Sequence, residues 1–156
     1  MKIGIFTALF HDQPIEQALD IIAQAGIQAV EFGGGAYPGD RHLNDLGGVQ
    51  TLINDDGARK RLRQMTESRG LEITAISVHG NPLHPKKEIA QEHHEAFHNA
   101  VLLAEKLGLG VVNPRLPGRS VGASGAYWTL RWRSRFTFRR SLVRASAKPD
   151  VVPIRS

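Results

Sequence analysis

Cysteine is absent from the whole chain, which removes both disulfide frameworks and cysteine-ligated zinc sites. A chain without thiols suits a reducing compartment, and a cytoplasmic location is expected. No apolar run approaches the roughly 20 residues that span a bilayer, so no membrane association is expected. The opening MKIGIFTALFHD carries one lysine and no small-residue cleavage site, and reads as a first strand instead of a signal peptide. Length is also short: 156 residues make a domain with a real core, but a closed eight-unit barrel takes about 250. The glycine-rich stretch lacks nucleotide-binding features. Residues 33–38 read GGGAYP, without the third glycine of a dinucleotide fingerprint, and no P-loop lysine follows.

Acidic residues are nearly missing from the last quarter. Up to Asn113 there are 10 Lys+Arg against 14 Asp+Glu, whereas residues 114–156 hold the other 10 basic residues and a lone Asp150. The net charge of +5 therefore averages a mildly acidic domain and a basic tail, and describes neither. All seven histidines lie in the first part.

What is present there is a repeating unit. Lys2 to Phe6 reads as a central strand, with Thr7 the first polar residue at its end. Asp12 can cap the next helix, with Pro14 in its first turn, and Ile15, Ala18, Leu19, Ile22 and Ala25 follow helical spacing along one face. Ile27 to Phe32 is a second strand carrying Glu31. The segment GGGAYPGDRHLNDLGG after it is too rich in glycine and too poor in periodicity for regular structure, and is expected to be a flexible pocket rim. Asn54, Asp55 and Asp56 supply caps for a second helix with Ala58, Leu62 and Met65 buried, and its basic run Arg59, Lys60, Arg61 and Arg63 reads as a solvated face. Leu71 to Val78 is a third strand, opening into HGNPLHP. Lys86 to Leu107 is a third helix, and Val111 and Val112 start a fourth strand that leads to Asn113.

Each helix ends in a glycine, Gly26, Gly70 or Gly108, that leads within a few residues into a strand. Strands alternating with helices in this way predict a parallel sheet with right-handed crossovers. The expected fold is α/β, an incomplete TIM barrel of about four βα units followed by an irregular basic tail. A four-stranded doubly wound sheet is the structural alternative. In either case the strand ends gather Thr7, Glu31, His79 with Asn81, and Asn113. Glu31 is the most telling of these, because a carboxylate inside AVEF must be desolvated or partnered. His84 could equally be a turn residue against Pro85, and His11 and His42 fall in loops.

His94, Glu95 and His98 spell H-E-x-x-H, the spacing of a helical zinc site. A third ligand is needed, and the metzincin extension is absent. Glu105 lies two turns along the same helix from His98, about 10 Å by the helical rise, and cannot close one coordination sphere. The histidines of this helix are therefore read as solvated.

The succession IGIFTALF, AVEFGGGAYPGD, GLEITAISVHGNPLHP and LAEKLGLGVVN resembles the N-terminal half of the sugar phosphate isomerase/epimerase family, with its xylose isomerase-like TIM barrel, over residues 1–113. HGNPLHP is the most specific part. The resemblance implies an enzyme that interconverts sugars or polyols by proton or hydride transfer between adjacent carbons. It also implies a divalent metal (Mn, Mg, Co or Zn) held by carboxylates from later strands, for which this chain has no residues. Glu31, His79, Asn81, His84 and Asn113 are the implied substrate-binding residues. No catalytic, cofactor or metal-ligating residue is assigned.

After Asn113 the pattern stops. Residues 114–156 are rich in arginine, serine and glycine with no sustained period, a composition expected of out-of-frame translation of a GC-rich gene and of poor order. On this reading the chain is truncated and inactive alone, with exposed strand edges that favour self-association. The functional rival is a nucleic-acid-binding or abasic-site endonuclease-like protein using RWRSRFTFRR as an arm, since arginines interleaved with aromatics can neutralise phosphates and stack on bases. Nothing in residues 1–113 matches a nucleic-acid motif.

Overall fold

The computed structural model describes residues 2–115 and the pair 130–131. Four short apolar runs become parallel strands: β1 (Gly4–Phe6), β2 (Ala29–Ala36), β3 (Glu72–His79) and β4 (Val111–Arg115). They lie side by side in chain order. That order has no reversal, so the doubly wound alternative is excluded, and right-handed crossovers between consecutive strands put every helix on one face as in a barrel. A two-residue β5 (Leu130–Arg131) pairs antiparallel with β4 through Val111 and Val112. The rest of the basic tail, with the frameshift and nucleic-acid readings built on it, lies outside the described residues.

The helices are α1 (Ile15–Gln24), α2 (Arg41–Asn44), α3 (Gly48–Asn54), α4 (Asp56–Glu67) and α5 (Lys87–Lys106). The expected apolar stripe of α1 is buried at Ile15, Ala18, Leu19 and Ile22, and Gly26, Gly70 and Gly108 end their helices with φ of 75°, 70° and 65°. Val30, Phe32, Ile76 and Val112 point from the sheet into this layer and form the core with Leu19, Leu62 and Leu103.

Three local expectations are corrected. Asp12 does not cap α1; the Ile15 amide instead donates to Asp45 Oδ2 at 2.9 Å, from a segment 30 residues away. Arg59 and Arg63 are not simply a solvated face. Arg59 Nη1 donates to the Leu52 and Ile53 carbonyls at 2.7 and 2.9 Å, satisfying the end of α3, and Arg63 Nη2 reaches the Leu107 carbonyl at 2.9 Å beyond α5.

The glycine-rich segment is the third. It is regular structure for most of its length: β2 runs through Gly33, Gly34 and Gly35, and α2 and α3 follow. The glycines serve close approach. A Cβ on Gly33 would stand 2.2 Å from the Gly39 carbonyl oxygen, and one on Gly34 would stand 2.5 Å from Ile76 Cγ2. A chain that folds back on its own strand and lies against a neighbouring one has no room for side chains there.

Candidate functional site at the strand ends

Side chains alternate across a strand, so register decides which residues share a face. Phe6 is level with Glu31 and Glu31 with Ala75; Gly33 is level with Ser77, Ser77 with Asn113, and Ala36 with His79. Apart from Ala36, which packs against the helix-side core past an irregularity in β2, these residues face away from the helices, on the side that is the interior of a barrel. A bulge sets the alignment: Val30 pairs with Ile73 but Glu31 with Ala75, leaving Thr74 as an extra residue whose hydroxyl donates to the Val30 carbonyl at 3.1 Å. Bulges re-aim the side chains that follow them.

Glu31 is half-buried, and its Oε1 is the hub of the cluster. It accepts a hydrogen bond from the Ser77 hydroxyl and a longer one, 3.4 Å, from Asn113 Nδ2. The partners required for a carboxylate in AVEF are thus found on β3, its neighbour, and on β4 one strand further along the sheet. Both donors fall on the same carboxylate oxygen. Ser77 is fully buried and was not among the sequence candidates. Its signal was available: a hydroxyl inside ISVH, two residues before His79 and therefore on the same face.

His79 meets Phe6 edge to face, with ring centroids 6.2 Å apart and planes at 74°. Its backbone exchanges hydrogen bonds with Tyr37, the amides donating at 2.8 and 2.9 Å, so the turns after β2 and β3 are tied together at the rim. Tyr37 and Leu83 are 73% and 87% exposed and stand as apolar edges of that rim. Thr7, at the end of β1, is buried, and its Oγ1 finds no hydrogen-bond partner among the described residues.

The other expected site residues behave differently. Asn81 spends its side chain locally, Oδ1 accepting from the Leu83 amide at 3.0 Å, and its own amide donates to His93 Nδ1 at 2.7 Å. His84 Nδ1 accepts from the Lys86 amide at 3.1 Å. Glu31, His79 and Asn113 thus share the inner face, while Asn81 and His84 shape the loop beside it. His42 is buried on α2 with Nε2 3.2 Å from the Phe10 carbonyl, and burial holds its pKa below the ordinary value despite that contact.

His94, Glu95 and His98 are exposed on α5, as expected, with Glu95 Oε1 accepting from Gln91 Nε2 at 2.6 Å. His93 was expected to be solvated with them, but it is half-buried against the loop. Among the described residues no three His, Asp or Glu side chains converge as a metal site. The donors around Glu31 are a hydroxyl and an amide, so these residues do not fit a resident divalent ion by themselves. At the opposite end of the sheet an open groove of about 480 Å³ is lined by Lys2, Arg63, Glu67, Leu71 and Leu107. It lies at the amino ends of the strands, where βα proteins do not place their chemistry.

The model of the xylose isomerase-like TIM barrel family matches residues 19–150. The uncharacterized protein YfiH of Bacillus subtilis (strain 168) is 29% identical over 109 residues, which cover 70% of this chain and 33% of that protein. The chain therefore spans about a third of the length of this curated relative. The crystal structure of the probable 3-DHS dehydratase AsbF, involved in petrobactin synthesis, from Bacillus anthracis is similar with a TM-score of 0.48 and 17% identity, over 73% of this chain and 38% of that one. With a family match over most of its length and four parallel strands in barrel order, the chain belongs to the xylose isomerase-like TIM barrel family.

Proposed function

We propose that this chain provides the sugar-binding wall of an isomerase or epimerase that acts on a sugar or polyol by proton or hydride transfer between adjacent carbons. The observation that carries the reading is the convergence of Glu31, Ser77 and Asn113 at the carboxyl ends of three adjacent strands. Two donors fix one carboxylate oxygen, which leaves the other to accept a hydrogen bond from a substrate hydroxyl. Such charge-assisted bonds are the strong ones. His79 lies on the same face of β3 as Ser77, its ring edge to face with Phe6, and forms part of the wall beside this cluster.

A divalent metal would polarise a sugar carbonyl in the intact family. The described residues do not make a site for one, so binding and orientation are the roles assigned to them, and turnover by this chain alone is not expected. The cytoplasm, where a chain without cysteine is at home, is the compartment that we assign.

Calorimetric titration with a panel of pentoses, hexoses and their phosphates tests the reading. At least one should bind, and Glu31→Gln should weaken it about tenfold or more, the scale of a hydrogen bond to a charged group. Equal affinity of the two proteins for every sugar bound would overturn the proposal.

A further inference from the structure

The loop that follows His79 is fastened in an unusual way. Two backbone amides within it, those of Asn81 and Lys86, donate to imidazole nitrogens: His93 Nδ1 at 2.7 Å and His84 Nδ1 at 3.1 Å. An N–H can donate to a ring nitrogen only if that nitrogen bears a lone pair, so both rings must be neutral with the proton on Nε2. The His93 contact joins different elements. It comes from α5 and pins the first turn of the loop, and packing reinforces it: a Cβ on Gly80 would stand 2.8 Å from the His93 ring, so Gly80 is what lets the loop lie flat on α5.

We propose that His93, with His84, is a pH-sensitive latch that positions the His79–Asn81 segment, holding the loop against α5 while the imidazoles are neutral and releasing it when they are protonated. A protonated ring has N–H on both nitrogens, so each acceptor becomes a donor that faces another donor. Release follows as the pH falls and the rings take up a second proton.

Among the described residues, the elements packed on α5 bring little charge to compete. No residue of α3 is titratable. Glu31 of β2 is held by Ser77 and Asn113, and Glu72 at the far end of β3 pairs with Lys2. His79 and Tyr37 stand at the rim, and Lys86, Glu92 and His94 are the latch's neighbours in sequence.

Nitrogen-15 NMR of the labelled chain reads the latch directly, without a ligand. At pH 7.5 His93 and His84 should show the Nε2–H tautomer. Exchange protection of the Asn81 amide, corrected for intrinsic rate, should fall about five- to tenfold between pH 7.5 and 5, the scale of one hydrogen bond. His93→Asn, whose Oδ1 can accept in place of Nδ1, should keep the protection and lose its pH dependence, whereas His93→Leu should lose the protection at both pH values. An Nδ1–H tautomer for His93 at pH 7.5 would overturn the proposal, and so would equal protection of Asn81 at both pH values in the unmodified chain. The tautomer is read on the unmodified chain, so a variant that fails to fold does not leave the question open.

Discussion

The two faces of the sheet are built from the same strands, yet they are finished to different degrees. Toward the helices, Val30, Phe32, Ile76 and Val112 are buried in one continuous apolar layer. On the other face Phe6, Glu31, His79 and Asn113 are only half-buried, and the polar ones bond to one another or to loop backbone. Alternation along each strand separates the two sets: one supplies the apolar core, and the set between them carries the polar cluster proposed to bind the sugar. Among the described residues the helical face is the more fully buried one.

The largest expected difference between the faces is in stability. Phe32→Ala should cost about 3 to 5 kcal/mol in urea denaturation, as large-to-small changes in a full core do. Phe6→Ala, on the half-open face, should cost under about 2 kcal/mol. Similar costs would mean that the inner face is packed as a core.

Next comes Gly33→Ala. Its Cβ would fall within 2.2 Å of the Gly39 carbonyl oxygen, and a backbone neighbour yields poorly. A loss of about 2 to 3 kcal/mol is expected. A neutral result would mean that the glycine run is a loose loop after all.

A smaller effect, about 1 kcal/mol, is expected for Asp45→Ala, which removes the cap of α1. Burial pushes the Asp45 carboxyl up, but the Ile15 amide and the Arg41 guanidinium outweigh it and hold its pKa below the ordinary carboxylate value. The folded-state pKa is thus the depressed one. Its contribution is present above the unfolded value and disappears as the pH falls below about 4 through the folded one. The cost of Asp45→Ala should therefore shrink in acid, and a cost that does not change with pH would argue against the cap.

Smallest of all is the H-E-x-x-H test. His94→Ala and His98→Ala on the exposed side of α5 should each shift stability by under about 0.5 kcal/mol, with no gain on adding zinc. A zinc-dependent rise in melting temperature that these changes abolish would reinstate the metal reading.

The βα frame was legible because Gly26, Gly70 and Gly108 punctuate it and because apolar spacing changes between strand and helix. Glu31 and Asn113 were legible as polar residues at the ends of apolar runs, where burial demands a partner. Ser77 could have been found by counting two residues back from His79. Other features depend on tertiary distance. The Asp45 cap joins segments 30 residues apart, and the role of His93 depends on which side of α5 meets the loop. Glycine was misread for a different reason: composition cannot distinguish a residue chosen for freedom from one chosen for smallness. Asn81 and His84 show the same ambiguity, since a side chain that closes a turn on its own backbone has the composition of one that binds a ligand.

The claim that the inner face at the carboxyl ends of the strands is the binding surface is tested most directly by mapping a bound sugar on the labelled chain by NMR. The account predicts shift changes centred on Glu31, Ser77, His79 and Asn113. Changes centred instead on Arg63, Glu67 and Leu107, at the opposite end of the sheet, would contradict it.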